Sequence, residues 1–285
     1  LQRSALAAIP AKLHGKLDIE PGAAGASRYV FAASGPLGSS KLDLTSSLNG
    51  QWSDARAAEV ALQLSLDAPD VNSLTGLLSA DRIAPVAKEP GRYTLSLGGK
   101  PDAEMRIDTR LASASLDLRA SGVVRSLASE ERSGALDVVI GPSPATQPRF
   151  VLPGAPAGGT AIALKSALKF DPAGLRFDNM QANIGGADVS GRLGIGFGKP
   201  TVIDGDLKAE AIDLPVLLAA ATGLHAPGEK ANWSETPFAT SAWPSMIGAV
   251  TVSAARATML ASIPATKLRF GLRFTGNDVA ADAIE

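Results

Sequence analysis

The chain has 285 residues, and its 27 lysines and arginines nearly balance its 28 aspartates and glutamates, giving a formal net charge of -1. This balance leaves no electrostatic surplus for nucleic acid or an anionic membrane surface, and the absence of cysteine excludes disulfides, thiolate metal sites and thiol catalysis. Hydrophobic residues make up 45% of the chain and aromatic residues 5%, so the apolar surface is aliphatic and suits acyl chains better than bases or sugars.

In chain order, the first half of the sequence predicts a series of short β-strands. Apolar and polar residues alternate with period two, which indicates strands with one apolar and one solvated face. The pattern is clear at residues 60–66, where Leu62, Leu64 and Leu66 alternate with small or polar residues. The predicted strands are 12–20, 27–34, 40–48, 58–68, 92–98, 103–111, 113–124 and 134–140.

A segment rich in proline and glycine, residues 141–160, follows these strands. Proline removes ladder donors, so we expect a long surface loop or seam here. The sequence therefore predicts two strand-rich segments, 1–140 and 161–285, on either side of it. Strands of the second segment are predicted at 161–170, 174–178, 180–185, 187–197, 201–212, 248–256, 266–275 and 278–284.

Turn sequences separate the later strands. Residues 171–174, 184–187 and 275–278 supply the proline, glycine or asparagine that tight turns need. We therefore expect successive strands to pair antiparallel.

Two short helices are predicted at corresponding places. One is capped by Asp70 or Asn72 and carries Leu74, and the other begins at Asp213 and ends at Gly223. The strands before them also align, with residues 64–68 matching residues 207–211. This correspondence predicts a degenerate internal repeat with a helix at each repeat junction.

No motif in the chain predicts an enzyme. Residues 194–199 resemble a phosphate-binding glycine loop, but Pro200 and a strand follow where a helix N-terminus is required. His14 and His225 lack metal-ligand spacing, and Asp-Gly-Asp at 204–206 is more typical of a turn. The sequence has no Gly-x-Ser-x-Gly elbow. We predict no catalytic residue, no metal site and no cofactor.

These elements predict a mainly β fold, a long twisted antiparallel sheet curled into a groove, with the two short helices at repeat junctions. Each methylene buried in such a groove contributes about 0.8 kcal/mol, so it could hold acyl chains without specific polar contacts. The alternative is that the same side chains pack on one another as a closed dry core. The predicted groove-lining residues are Leu62, Leu64, Leu66, Leu95, Leu97, Ile107, Leu116, Leu118, Leu164, Leu168, Phe177, Leu193, Ile195, Leu207, Leu268, Phe270, Leu272 and Phe274.

The second segment resembles proteins of the AsmA family. Residues 174–193 contain a strand, an Ile-Gly-Gly turn and a Ser-Gly-Arg-Leu strand, and residues 204–218 lead from a strand into a helix start. Residues 233–238 and 248–252 are similar to the family's transition into its next unit. The resemblance covers roughly residues 160–285.

The resemblance implies a non-enzymatic periplasmic segment of a protein tethered to the inner membrane. It implies a repeating β-groove of the bridge-like lipid-transfer type, which would take part in phospholipid transport between membranes and in outer-membrane assembly or maintenance. The expected partners are phospholipid acyl chains and the membrane, with no nucleic acid. No apolar stretch reaches the roughly 20 residues of a membrane span, so we expect any anchor to lie outside this chain.

Two other functions stay open at this stage. The first is a secreted β-rich adhesin or scaffold with a closed core, which presents its loops to partners. The second is an enzyme acting on envelope polysaccharide, which the low aromatic content and the lack of a paired acid motif disfavour.

Overall fold

The structure is a computed structural model that describes residues 10–22, 26–77, 88–141, 149–150, 160–184, 186–213, 246–258, 264–276 and 278–282. The chain divides into two compact units, Leu1–Pro148 and Arg149–Glu285, which we call unit 1 and unit 2. The division lies inside the 141–160 segment. Within that segment, Gly141 ends one strand, Arg149–Phe150 form another and Thr160 begins a third, and its other residues lie outside the described ones.

The described part of unit 1 contains eight strands that follow one another along the chain. Each pairs antiparallel with the next, as expected for successive strands. The strands are β1 (His14–Pro21), β2 (Ser27–Leu37), β3 (Ser40–Gly50), β4 (Glu59–Ala68), β5 (Gly91–Gly99), β6 (Glu104–Ser113), β7 (Asp117–Arg125) and β8 (Ser133–Gly141).

Helix α1 (Val71–Leu77) follows β4 and packs on β4 and β5. Asp70 accepts hydrogen bonds through Oδ1 from the backbone N (3.0 Å) and Nδ2 (2.9 Å) of Asn72, as an N-cap residue does. Val71 and Leu74 are fully buried. The second predicted helix, at 213–223, lies outside the described residues, so the pair of helices stays a prediction.

The strands of unit 2 continue the same pattern of hairpins. They are β9 (Arg149–Phe150), β10 (Thr160–Asp171), β11 (Gly174–Ile184), β12 (Ala187–Gly196), β13 (Thr201–Asp213), β14 (Met246–Thr258), β15 (Pro264–Gly276) and β16 (Asp278–Asp282). Asp171 stabilises the β10–β11 turn by accepting hydrogen bonds from the backbone N–H groups of Ala173 (2.8 Å) and Gly174 (3.0 Å).

Two strands predicted at 174–178 and 180–185 are one strand, β11. A β-bulge between Phe177 and Met180 places Asn179 at φ 51°, in the left-handed region that asparagine tolerates better than most residues. The buried Ser166 hydroxyl donates to the backbone carbonyl of Asp178, next to the bulge, at 3.0 Å. The break in alternation therefore marks a bulge and not a turn.

The expectation that all successive strands pair antiparallel is wrong at β13–β14. These strands are parallel, with Thr201 opposite Met246 and Leu207 opposite Val252. Parallel neighbours need a crossover of a dozen or more residues, and residues 214–245 are long enough to provide one. Unit 2 is therefore a mixed sheet with one parallel pair among its described long strands.

Candidate functional site: the apolar sheet faces

The registers of unit 1 place the apolar residues of its strands on one face. Residues directly opposite in a ladder project to the same side of the sheet. One row runs through Leu42, Leu66, Tyr93, Leu111 and Leu118 on five consecutive strands. We call this side the unit-1 apolar face. Its larger members are Leu17, Ile19, Tyr29, Phe31, Leu42, Leu44, Leu48, Val60, Leu62, Leu64, Leu66, Tyr93, Leu95, Leu97, Met105, Ile107, Leu111, Leu118, Val124, Leu136, Val138 and Ile140.

Unit 2 has an equivalent face across its long strands. A row of opposite residues runs from Leu168 through Phe177 and Leu193 to Gly205, and then through Val250 to Leu272. We call this side the unit-2 apolar face. Its larger members are Ile162, Leu164, Leu168, Phe170, Leu175, Phe177, Met180, Ile184, Val189, Leu193, Ile195, Ile203, Leu207, Val250, Val252, Leu268, Phe270, Leu272 and Phe274.

Seventeen of the eighteen predicted lining residues lie on these two faces. Unit 1 carries Leu62, Leu64, Leu66, Leu95, Leu97, Ile107 and Leu118; unit 2 carries Leu164, Leu168, Phe177, Leu193, Ile195, Leu207, Leu268, Phe270, Leu272 and Phe274.

Leu116 is the exception. It lies in the turn before β7, where its carbonyl accepts a hydrogen bond from Ser113 N at 2.7 Å, and its side chain is fully buried. Its apparent alternation with Leu118 comes from the turn, so Leu116 is a packing residue there and not part of a strand face.

The unit-1 apolar face is only half-buried at its centre. Leu62, Leu64, Leu95 and Leu97 all keep part of their side chains accessible, whereas Leu42, Leu66 and Leu111 in the row nearest α1 are buried. Among the described residues, the substantial contacts between strands join hydrogen-bonded neighbours, and α1 packs on β4 and β5. The described parts of unit 1 therefore contain no second sheet against the centre of this face.

The unit-2 apolar face is buried unevenly. Along β13–β15 a cluster of buried side chains includes Val250, Val252, Leu268 and Phe270, with Phe270 only 2% exposed. Along β10–β12 the face is half-buried, as at Leu168 and Leu193. The parallel pairing of β13 and β14 brings Leu207 beside Val252, and this arrangement could not be read from the alternation alone.

The opposite side of the unit-1 sheet is polar and carries ion pairs between neighbouring strands. Arg92 on β5 binds Asp67 on β4 through two contacts of 2.5 and 3.0 Å. Asp117 on β7 accepts from Arg110 Nε on β6 and from Arg119 Nη2, each at 2.7 Å. Such exposed pairs contribute little to stability, because water screens the charges.

These contacts set the protonation of the acidic groups. Hydrogen bonds from Arg119 and Arg110 lower the pKa of Asp117 to about 2. The hydrogen bond from Arg92 similarly lowers the pKa of Asp67. Burial raises the pKa of Glu89, but hydrogen bonds from Ser113 and Ser115 lower that pKa by more, so it lies below its usual value. All three carboxylates are therefore ionised at neutral pH.

Sequence reasoning missed an aromatic pair at one end of the unit-1 apolar face. Trp52, in a short 3-10 helix (Trp52–Asp54), lies with its ring centroid 5.3 Å from that of Tyr29 at an interplanar angle of 54°. Trp52 is largely exposed. Trp52 lies between the predicted strands 40–48 and 58–68 and has no period-two signal, so only the turn geometry brings it to Tyr29.

The motifs weighed for other chemistry have structural roles or lie outside the described residues. Gly194 to Gly196 end strand β12, and a Cβ at Gly194 would collide with the Asp204 side chain on β13, so the first half of the glycine-rich sequence is strand and not a phosphate loop. His14 is exposed on β1, and His225 is outside the described residues. Within the described ranges, no three histidine, cysteine or acidic side chains are grouped to hold a metal.

No helix among the described residues has the length and hydropathy needed to cross a bilayer. No family model matches the chain, and searches of curated proteins and of solved structures found no match.

Proposed function

We propose that this chain is a non-enzymatic lipid-binding segment whose apolar sheet faces line a groove for phospholipid acyl chains. The observation that carries the proposal is that the centre of the unit-1 apolar face is only half-buried. Leucines there lie in adjoining rows on neighbouring strands, as Leu62 and Leu64 lie opposite Leu97 and Leu95. Exposing an aliphatic surface of this kind to water is unfavourable in free energy, so burying it under an apolar ligand would be favourable.

The chemistry of the face favours acyl chains over other small ligands. Its centre offers branched aliphatic side chains, while the charged groups that could orient a polar ligand, such as Asp67, Arg92 and Asp117, lie on the opposite side of the sheet. Contact would depend on apolar area, so the groove would discriminate weakly among lipids of similar chain length.

The cellular setting of the proposal comes from the likeness of residues 174–218 to AsmA proteins. By that likeness, the chain would be a periplasmic segment of a protein anchored in the inner membrane outside these residues. It would take part in phospholipid transport between membranes and in outer-membrane assembly or maintenance. Residues 174–184, 187–196 and 201–213 are strands of unit 2, in keeping with the repeating strand units of that family.

A second candidate is a secreted adhesin or scaffold with a closed core. The buried cluster on β13–β15 favours it, because Phe270, Val250 and Leu268 are packed as tightly as ordinary core residues. In this case the apolar faces would be sealed and the loops would be the functional surface.

The test is to purify the 285-residue chain from a Gram-negative host and to measure phospholipid in its organic extract by mass spectrometry. Near-stoichiometric phospholipid that survives extensive washing supports the groove. A chain that is folded by circular dichroism and carries no lipid, and that also fails to take up a fluorescent fatty acid or phospholipid from vesicles, would overturn the lipid-binding proposal and favour the closed core.

A further inference from the structure

Strand β1 forms one edge of the unit-1 sheet. Among the described residues, β2 is the one strand paired with it. All eight of its residues are exposed, and Leu17 and Ile19, on the apolar face, are 56% and 55% exposed. An edge of this length with two exposed aliphatic side chains is a site where another strand can add.

We infer that β1 pairs antiparallel with β1 of a second copy of this chain, in a register centred on Leu17. A two-fold axis through Leu17 would place Lys16 opposite Asp18 of the second copy and His14 opposite its Glu20. Both relationships occur twice, because a two-fold interface is self-complementary.

The charge sequence of β1 selects this register over its neighbours. His14, Lys16, Asp18 and Glu20 all lie on the polar side of the sheet, with basic residues before Leu17 and acidic residues after it. A register centred on Asp18 would place two aspartates opposite each other, and one centred on Lys16 would oppose two lysines, which is unfavourable. A shift by a single residue would turn the apolar residues of one copy to the polar side of the other.

The ion pair within β1 still allows its charged side chains to pair with β1 of the second copy. Lys16 Nζ contacts Asp18 within the strand at 2.8 Å, yet the two side chains stay 76% and 49% exposed. Lys16 can therefore reach an acid on an adjoining strand without losing a buried partner.

The apolar side favours the same pairing. Leu17 would lie against Leu17 of the second copy, and Ile19 would lie opposite its Gly15, beside the Phe31 ring that is 3.4 Å from where a Cβ of Gly15 would be. The pairing would cover the most exposed aliphatic residues of β1 and would continue the unit-1 apolar face from one copy into the other.

Single cysteines provide a direct test, because the natural chain has none. In the inferred register the two Leu17 positions are directly opposite, at a Cα separation of about 4.5–5.5 Å that permits a disulfide. The two Ile19 positions are offset by four residues, or about 13 Å. Ile19→Cys is thus a matched control on the same face with the same exposure.

Under mild oxidation of the full chain, we expect Leu17→Cys to form a covalent dimer and Ile19→Cys to stay monomeric on a non-reducing gel. Equal cross-linking of both variants, or none of Leu17→Cys, would overturn the inference.

Charge exchange gives a second test that needs no cross-link. We expect Lys16→Asp alone, and Asp18→Lys alone, each to raise the dimer dissociation constant about tenfold in sedimentation equilibrium, because two cross-strand pairs become repulsive. The double variant Lys16→Asp with Asp18→Lys should regain the natural constant. Circular dichroism confirms that the variants are folded. A natural chain that sediments as a monomer, or single variants that dimerise unchanged, would contradict pairing through β1.

Discussion

Leu62 on β4 lies directly opposite Leu97 on β5, and both leucines keep part of their side chains accessible at the centre of the unit-1 apolar face. Their neighbours Gln63 and Ser96 form the adjacent pair and project to the polar side of the sheet. Adjacent residues of these strands therefore lie on opposite faces of the sheet, one aliphatic and one hydrated.

This alternation makes a matched pair of substitutions possible. Leu62→Asp should lower the phospholipid bound per chain about tenfold, because a carboxylate on the apolar face must be desolvated wherever an acyl chain covers it. Gln63→Asp, one residue away on the solvated face, should leave lipid content unchanged. Mass spectrometry of organic extracts, with circular dichroism to confirm folding, measures both. Equal lipid content in the two variants would show that lipid does not lie on this face.

The buried cluster of unit 2 predicts a different response to truncation. Phe270→Ala should lower the free energy of unfolding by about 3–5 kcal/mol, because Phe270 is almost wholly buried and its removal leaves a cavity. Phe197→Ala should change it by less than about 0.5 kcal/mol, since Phe197 is 56% exposed just after β12. Urea denaturation of the two variants makes the comparison. A small effect of Phe270→Ala would mean that its surroundings close around the missing ring, and the cluster would not be a rigid core.

The lowered pKa of Asp117 predicts that the folded chain loses stability in acid. Because hydrogen bonds from Arg119 and Arg110 lower its pKa to about 2 in the folded chain, its contribution is complete above the unfolded value of 3.8 and is lost as the pH falls from about 4 to 2. The side chain is 23% exposed, and solvent screening reduces the contribution to about 1 kcal/mol.

The measurement is the urea midpoint of the natural chain and of Asp117→Asn between pH 5 and pH 2. The variant should be less stable at pH 5, and the two midpoints should converge near pH 2. Asp137→Asn is the control, because Asp137 lies on the polar side of the neighbouring strand β8 and has no ion pair among the described residues. If the urea midpoints of the natural chain and of Asp117→Asn differed by the same amount over this whole pH range, the Asp117 carboxylate would not be the source of the acid sensitivity.

Gly191 on β12 should not tolerate a side chain. Its φ of 143° is strained for any residue with a Cβ, and a Cβ there would overlap the backbone carbonyl of Asp206 on β13. Gly191→Ala should therefore lower stability by about 1–3 kcal/mol. Gly271→Ala in the same unit should be close to neutral, because its Cβ would make only an ordinary contact of 3.7 Å with the Asp282 carbonyl. Thermal unfolding of the two variants distinguishes them, and similar melting temperatures would contradict the steric argument.

Much of the strand content could be predicted from the sequence because alternation is a local property. Residues such as Leu62, Leu64 and Leu66 define a face through their spacing alone, whichever strands lie beside them. Turn sequences such as Asp171 to Gly174 likewise determine their hairpins locally, and Asp171 makes the two turn hydrogen bonds expected of it.

Features that depend on distant partners could not be predicted in this way. The alternation of β14 is the same whether the strand runs parallel or antiparallel to β13, so only long-range pairing decides the direction. Leu116 fits the period of β7 but lies in a turn, and the Tyr29–Trp52 contact joins residues without a shared pattern.

The sequence by itself determined where most of the described strands lie and which side of each is apolar, because these depend on neighbours one and two positions away. Only the tertiary structure decided how far each face is covered, with Leu97 left half-accessible and Phe270 buried, and which strand lies beside which. The physical reason is that burial and pairing direction are properties of contacts between distant segments, and the free energy of those contacts is not encoded in any local period.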